Sequence, residues 1–206
     1  MKDQEREKIE EFWEWFVNNE THIKEVLADD YHEGRKSLVK TMDNQILQFG
    51  MFTWEMGPEG DKNYYLIISP NGNGELLEKS KEIIALSPGL RNWKFYYARP
   101  AKEWDLKFSV FDDFMEEHKV DASGWNFILE KSEGKSTNII VEAPNLNHLD
   151  EETKLTAGNL VLSSLLGEAF KINFIDKVKI VNHFENLEKG NRRSIFELYN
   201  LREDLT

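Results

Sequence analysis

A chain of 206 residues with 40% hydrophobic side chains is long enough to fill a core, and having no cysteine it can form no disulfide, thiolate nucleophile or cysteine zinc site. Lys and Arg number 26 against 38 Asp and Glu, a net charge of −12. With a pI near 5.0, this argues against duplex DNA and anionic membranes as partners, because both require basic patches.

The first expected helix runs from Lys2 to about Asn18. Ile9, Phe12, Trp13, Phe16 and Val17 recur at helical spacing as one apolar stripe, and glutamates occupy the opposite face. Residues 1–30 hold ten acids against four bases, a local charge of −6, half of the total. Glu10, Glu11 and Glu14 on that polar face are candidate binding residues. Trp15 lies off the stripe, so it either meets a partner or packs on a neighbouring element. Ile23, Val26 and Leu27 continue helically, and Leu38, Val39, Met42, Ile46 and Phe49 predict a helix over 35–49 with Gly50 as its C-terminal cap.

Phe52, Trp54 and Met56 alternate as a strand, and Gly57-Pro58-Glu59-Gly60-Asp61 reads as the turn to the next strand, Tyr64 to Ile68, an apolar run stopped by Pro70. Asn71 and Asn73 are suited to cap the helix that follows. Asn71-Gly72-Asn73-Gly74 lacks the Lys-Ser/Thr of a P-loop, so turn and cap chemistry explains it. Trp93, Phe95 and Tyr97 alternate as a third strand, and Leu106, Phe108 and Val110 as a fourth. Tyr64, Tyr65, Trp93, Tyr96 and Tyr97 fall on adjacent strands, where they form either an aromatic platform or part of a core.

The segment 112–118, DDFMEEH, is expected to make one or two helical turns, which places Asp113, Glu116 and Glu117 on one face. With His118 it is the densest set of acid, base or ligand groups in the chain. Its spacing matches neither an EF-hand nor HExxH, so no metal and no cofactor is expected. Strands at Trp125–Leu129 and Ile139–Val141 follow, then a helix over about 150–170 whose inner face includes Leu155, Leu162 and Leu165. A strand at Phe174–Phe184 and a last helix from Arg192, with Ile195, Leu198, Tyr199 and Leu205 inward, finish the chain. Pro70 and Pro144, 74 positions apart, each end an apolar strand, which suggests two copies of a strand-strand-helix-strand unit.

The expected fold is α+β: a mixed, largely antiparallel sheet from two such units, with the N-terminal helices packed against it. Residues 1–50 form the helical segment, 51–111 the first unit, 112–123 an acidic connector and 124–206 the second unit with the last helix, all in one compact domain. A cytoplasmic location fits a charged amino terminus, the missing cysteine and the lack of an apolar run of ~20 residues.

The stretches FWEWF, ISPNGNGELL, NWKFYYARP and SSLLGEAF together resemble an uncharacterised family of bacterial cytoplasmic proteins. The resemblance spans most of the chain and implies no activity, cofactor or catalytic residue. Glu168, an acid beside Gly167 within the last of these motifs, is a further binding candidate, or else fixes the loop after it. Two functions follow as expectations. One is a non-catalytic interaction protein, of immunity or regulatory type, that covers a basic protein with its acidic surface and binds neither nucleic acid nor membrane. The other is a small-molecule enzyme or binding protein with a cleft between the two units, using Asp113, Glu116 or His118.

Overall fold

The structure is a computed structural model that describes residues 3–29, 31–60, 62–132, 136–185 and 191–205. The fold is α+β, and the chain divides into two compact units, Met1–Arg99 and Pro100–Thr206. The division falls at Arg99–Pro100, not at 111/112, and the single compact domain of the sequence reading is replaced by two. Residues 100–123 therefore belong with the second unit.

In the first unit, helices α1 (Asp3–Ala28) and α2 (Arg35–Leu47) precede the hairpin β1 (Thr53–Glu59) and β2 (Asn63–Ser69). Helix α3 (Gly74–Ala85) then crosses to β3 (Trp93–Tyr96), which lies parallel to β2 and gives the order β1-β2-β3. The apolar stripe of α1 is buried as its spacing requires: Ile9, Phe12, Trp13 and Phe16 pack with Leu66, Ile68, Trp93 and Ile83. Val17 departs from expectation and is 43% exposed. The helix runs unbroken through Asn18-Asn19 because Ile23 and Val26 extend the same buried face. Trp13 Nε1 donates to the Ile83 carbonyl at 2.8 Å and so ties α1 to α3.

Strand β1 continues through Gly57-Pro58-Glu59, residues expected to turn. Proline is tolerated there because β1 is an edge strand and its missing N–H takes no ladder bond from the sheet. Asn73 caps α3, its Oδ1 accepting from the N–H groups of Glu75 and Leu76 at 2.8 and 3.2 Å. The aromatic platform separates into two faces, since alternation along a strand points neighbours to opposite sides. Tyr64, Trp93 and Phe95 pack into the helical core, while Tyr65 and Tyr96 lie on the other face with Lys94 and Glu59.

In the second unit, β4 (Lys107–Phe111) and β5 (Glu117–Asp121) form an antiparallel hairpin, and β6 (Asn126–Lys131) pairs antiparallel with β7 (Thr137–Glu142). A 3-10 turn at Pro144–Leu146 leads to α4 (Glu151–Leu166), α5 (Glu168–Phe174) and β8 (Ile175–Val181), which is parallel to β7. The short β9 (Arg193–Ser194) adds to β6, giving the order β8-β7-β6-β9, and a 3-10 turn runs into α6 (Leu198–Leu205). The core gathers Trp125, Phe127, Ile139, Val141, Val161, Leu162 and Leu165 with Ile195 and Leu198 of the closing segment. Tyr199 packs against it as expected, Leu155 is exposed, and the side chain of Leu205 lies outside the described residues.

The single helix expected over 150–170 breaks at Gly167, which has φ 81° and ψ 141°, a conformation L side chains rarely adopt. A Cβ there would also stand 3.1 Å from the backbone nitrogen of Ala101. Both the turn and the close approach of the chain at Ala101 need a glycine.

Candidate functional site

The segment expected to be helical is the turn of the β4–β5 hairpin. Asp112 organises it: its Oδ1 accepts from the backbone N–H groups of Phe114 and Glu116, both at 2.9 Å. The Met115 N–H donates to the Asp112 carbonyl at 2.9 Å, and Met115 adopts φ 63°. A carboxylate that satisfies backbone donors locally competes with a helix, and this one does so across the whole segment. The helical face of Asp113, Glu116 and Glu117 therefore does not form.

A different grouping takes its place. The second oxygen of Asp112 lies 3.0 Å from His118 Nε2 on β5. Ligand atoms of Asp112, Glu116 and His118 all fall within 4.8 Å of one another, and Asp113 is not among them. His148, just before α4, brings its ring to within 6.0 Å of the His118 ring, centroid to centroid. The His118 hydrogen bond, then the N–H groups of Glu116 and Phe114, hold the Asp112 carboxyl below its usual range.

The tip of this hairpin is apolar and uncovered. Phe114 is 92% exposed, Met115 76% and Phe111 55%, with the exposed acids Asp113, Glu116 and Glu117 around them. Sequence periodicity gave no sign of this surface, because the segment read as one or two helical turns.

The other candidates are dispersed. Glu10, Glu11 and Glu14 are exposed on the outer face of α1, where Glu10 pairs with Arg6 at 2.8 Å. Among the described residues no ion pair involves Glu7, Glu11 or Glu14, which share one face at i, i+4 and i+7. Trp15 is half-buried against its own unit, stacked on Phe12 at 6.2 Å and edge-on to Phe16 at 6.4 Å. Glu168 is buried at the first turn of α5, where a negative charge complements the helix dipole. One turn on, burial pushes the Lys171 ammonium below its usual range, and Glu168 offsets part of that shift.

Glu142, which no sequence pattern singled out, is a buried carboxylate at the end of β7. It accepts from the Phe184 N–H at 3.0 Å and pairs with Arg192 at 3.0 Å. These bonds fasten the segments on both sides of 186–190 to the sheet, which is a structural task. No family model, curated protein or solved structure matches the chain, so function is argued from this geometry.

Proposed function

We propose that the chain is a non-catalytic interaction protein that binds a basic protein, with the tip of the β4–β5 hairpin as the contact. The observation that carries this reading is the exposure of Phe114 and Met115, flanked in the turn by the exposed carboxylates Asp113, Glu116 and Glu117. Burying a Phe or Met side chain contributes about 1.5–3 kcal/mol, and the fold of the second unit forgoes that gain at two adjacent positions. An apolar centre rimmed by charge is the usual anatomy of a protein-binding patch. A partner that buries the two side chains must meet Asp113, Glu116 and Glu117 at the rim, and basic groups do so at least cost.

The outer face of α1 supports the same reading by another route. Like charges at i, i+4 and i+3 repel, so Glu7, Glu11 and Glu14 slightly disfavour the helix that carries them. A field of this kind steers a basic partner during encounter.

The two sheets support the reading of the units as copies of one unit. Each has an antiparallel pair, a helical crossover and a third strand parallel to the second, and 74 added to the bounds of β2 gives 137–143 against Thr137–Glu142 for β7.

A pull-down from native cells tests the function. The wild-type chain is expected to retain a basic protein that a Phe114→Ser/Met115→Ser variant loses while its melting temperature stays unchanged. Equal retention by the variant, or copurification of a metabolite in place of a protein, contradicts the proposal.

A further inference from the structure

Beneath the apolar tip, the hairpin presents donors whose spacing suits a metal ion. A tetrahedral ion bound at about 2.0–2.2 Å by nitrogen and oxygen holds neighbouring ligand atoms roughly 3.3–3.6 Å apart. Asp112 Oδ2 and His118 Nε2 stand 3.0 Å apart in a hydrogen bond whose proton an ion would replace, and ligand atoms of Asp112, Glu116 and His118 all lie within 4.8 Å of one another.

We propose that Asp112, Glu116 and His118 bind one divalent transition-metal ion of the Zn2+ class at the base of the β4–β5 turn, with water completing its shell. The donor set selects the class. An imidazole beside two carboxylates suits Zn2+ and its neighbours, whereas Ca2+ and Mg2+ take oxygen ligands. The first ligand is already oriented, because the backbone N–H groups of Phe114 and Glu116 fix the other oxygen of Asp112. Outer bonds of this kind position metal ligands in known sites. His118 is held by strand pairing, opposite Val110.

The chain carries an internal comparison. His22 and His32 stand 6.1 Å apart, with Glu25 Oε2 3.9 Å from His22 Nδ1. That pair offers two imidazoles and a carboxylate, yet among the described residues only Asp112, Glu116 and His118 form a set of three converging ligand atoms. The proposed ion lies beside the contact surface rather than within either core, so binding it is separate from folding. The inference stands whether or not the tip binds a protein.

Calorimetric titration of the chelator-treated full chain with ZnCl2 tests it. Binding is expected to saturate at one ion per chain, to weaken about tenfold or more in His118→Asn, and to be unchanged in a His22→Asn/His32→Asn double variant. CaCl2 is expected to give no saturable heat. Nitrogen-15 spectra of the wild-type imidazoles supply a second measurement that needs no variant, with the ring nitrogens of His118 shifting on addition of Zn2+. Absence of saturation, loss of binding in the His22/His32 variant with retention in His118→Asn, or unshifted His118 nitrogens would overturn the assignment.

Discussion

Lys171 pays for its place in α5 through its charge. Its ammonium is largely removed from water, which disfavours the charged form, and attraction to Glu168 is the smaller, opposing effect. The folded state thus holds this proton less tightly than the unfolded chain, where a lysine titrates near ~10.4. Between the lowered folded value and ~10.4 the unfolded chain binds more protons, so this contribution to stability rises with pH across that window. Below it the cost is present in full. Lys171→Met is therefore expected to melt higher than wild type at pH 7, by about 2–4 °C for each kcal/mol relieved. The gap should close as the pH approaches 10. Melting curves of both proteins from pH 7 to 10 check this, and a variant that melts lower at pH 7 would show that the pairing with Glu168 outweighs burial.

At the scale of the element, α1 is held by its apolar stripe, by the Trp13 bond to α3 and by Trp93 Nε1 donating to Glu20 at 3.0 Å. Trp13→Phe removes the bond to the Ile83 carbonyl and part of a buried ring, which should cost about 1–3 kcal/mol. Trp15→Phe should cost less, because Trp15 is half-buried and already off the stripe. Denaturant unfolding of the two variants ranks them, and an equal loss would mean that Trp15 belongs to the core as fully as Trp13. Elements whose side chains recur with one period were legible in the sequence, as the buried faces of α1, α2, α3 and β2 show. Elements decided by a single backbone bond or angle were not. The β4–β5 turn depends on one Asp112 oxygen and on a methionine with positive φ, and acids and methionine in that order carry a helical signal instead. The end of α4 depends on Gly167, which combines a positive φ with the close approach of Ala101, far back in the chain. Strand β9 is two residues long, too short for any period to register.

Across the whole molecule, acidity was plain from composition, but its placement was not. Exposed acids stand, among other places, on the outer face of α1 and at the hairpin tip, and those at the tip flank the exposed Phe114 and Met115. These two surfaces should act on different rates. Charges on α1 work at a distance through steering, which weakens as the Debye length falls from ~10 Å at 0.1 M salt to ~3 Å at 1 M. Phe114 and Met115 act only after contact, through the lifetime of the complex. Among the described residues no helix is long and apolar enough to cross a membrane. The most direct measurement is the binding kinetics of the captured basic protein at low and high salt. The account predicts that Glu10→Gln/Glu11→Gln/Glu14→Gln slows association at low salt and leaves dissociation unchanged, while Phe114→Ser/Met115→Ser speeds dissociation at both. Dissociation of the Phe114→Ser/Met115→Ser variant at the wild-type rate would contradict it.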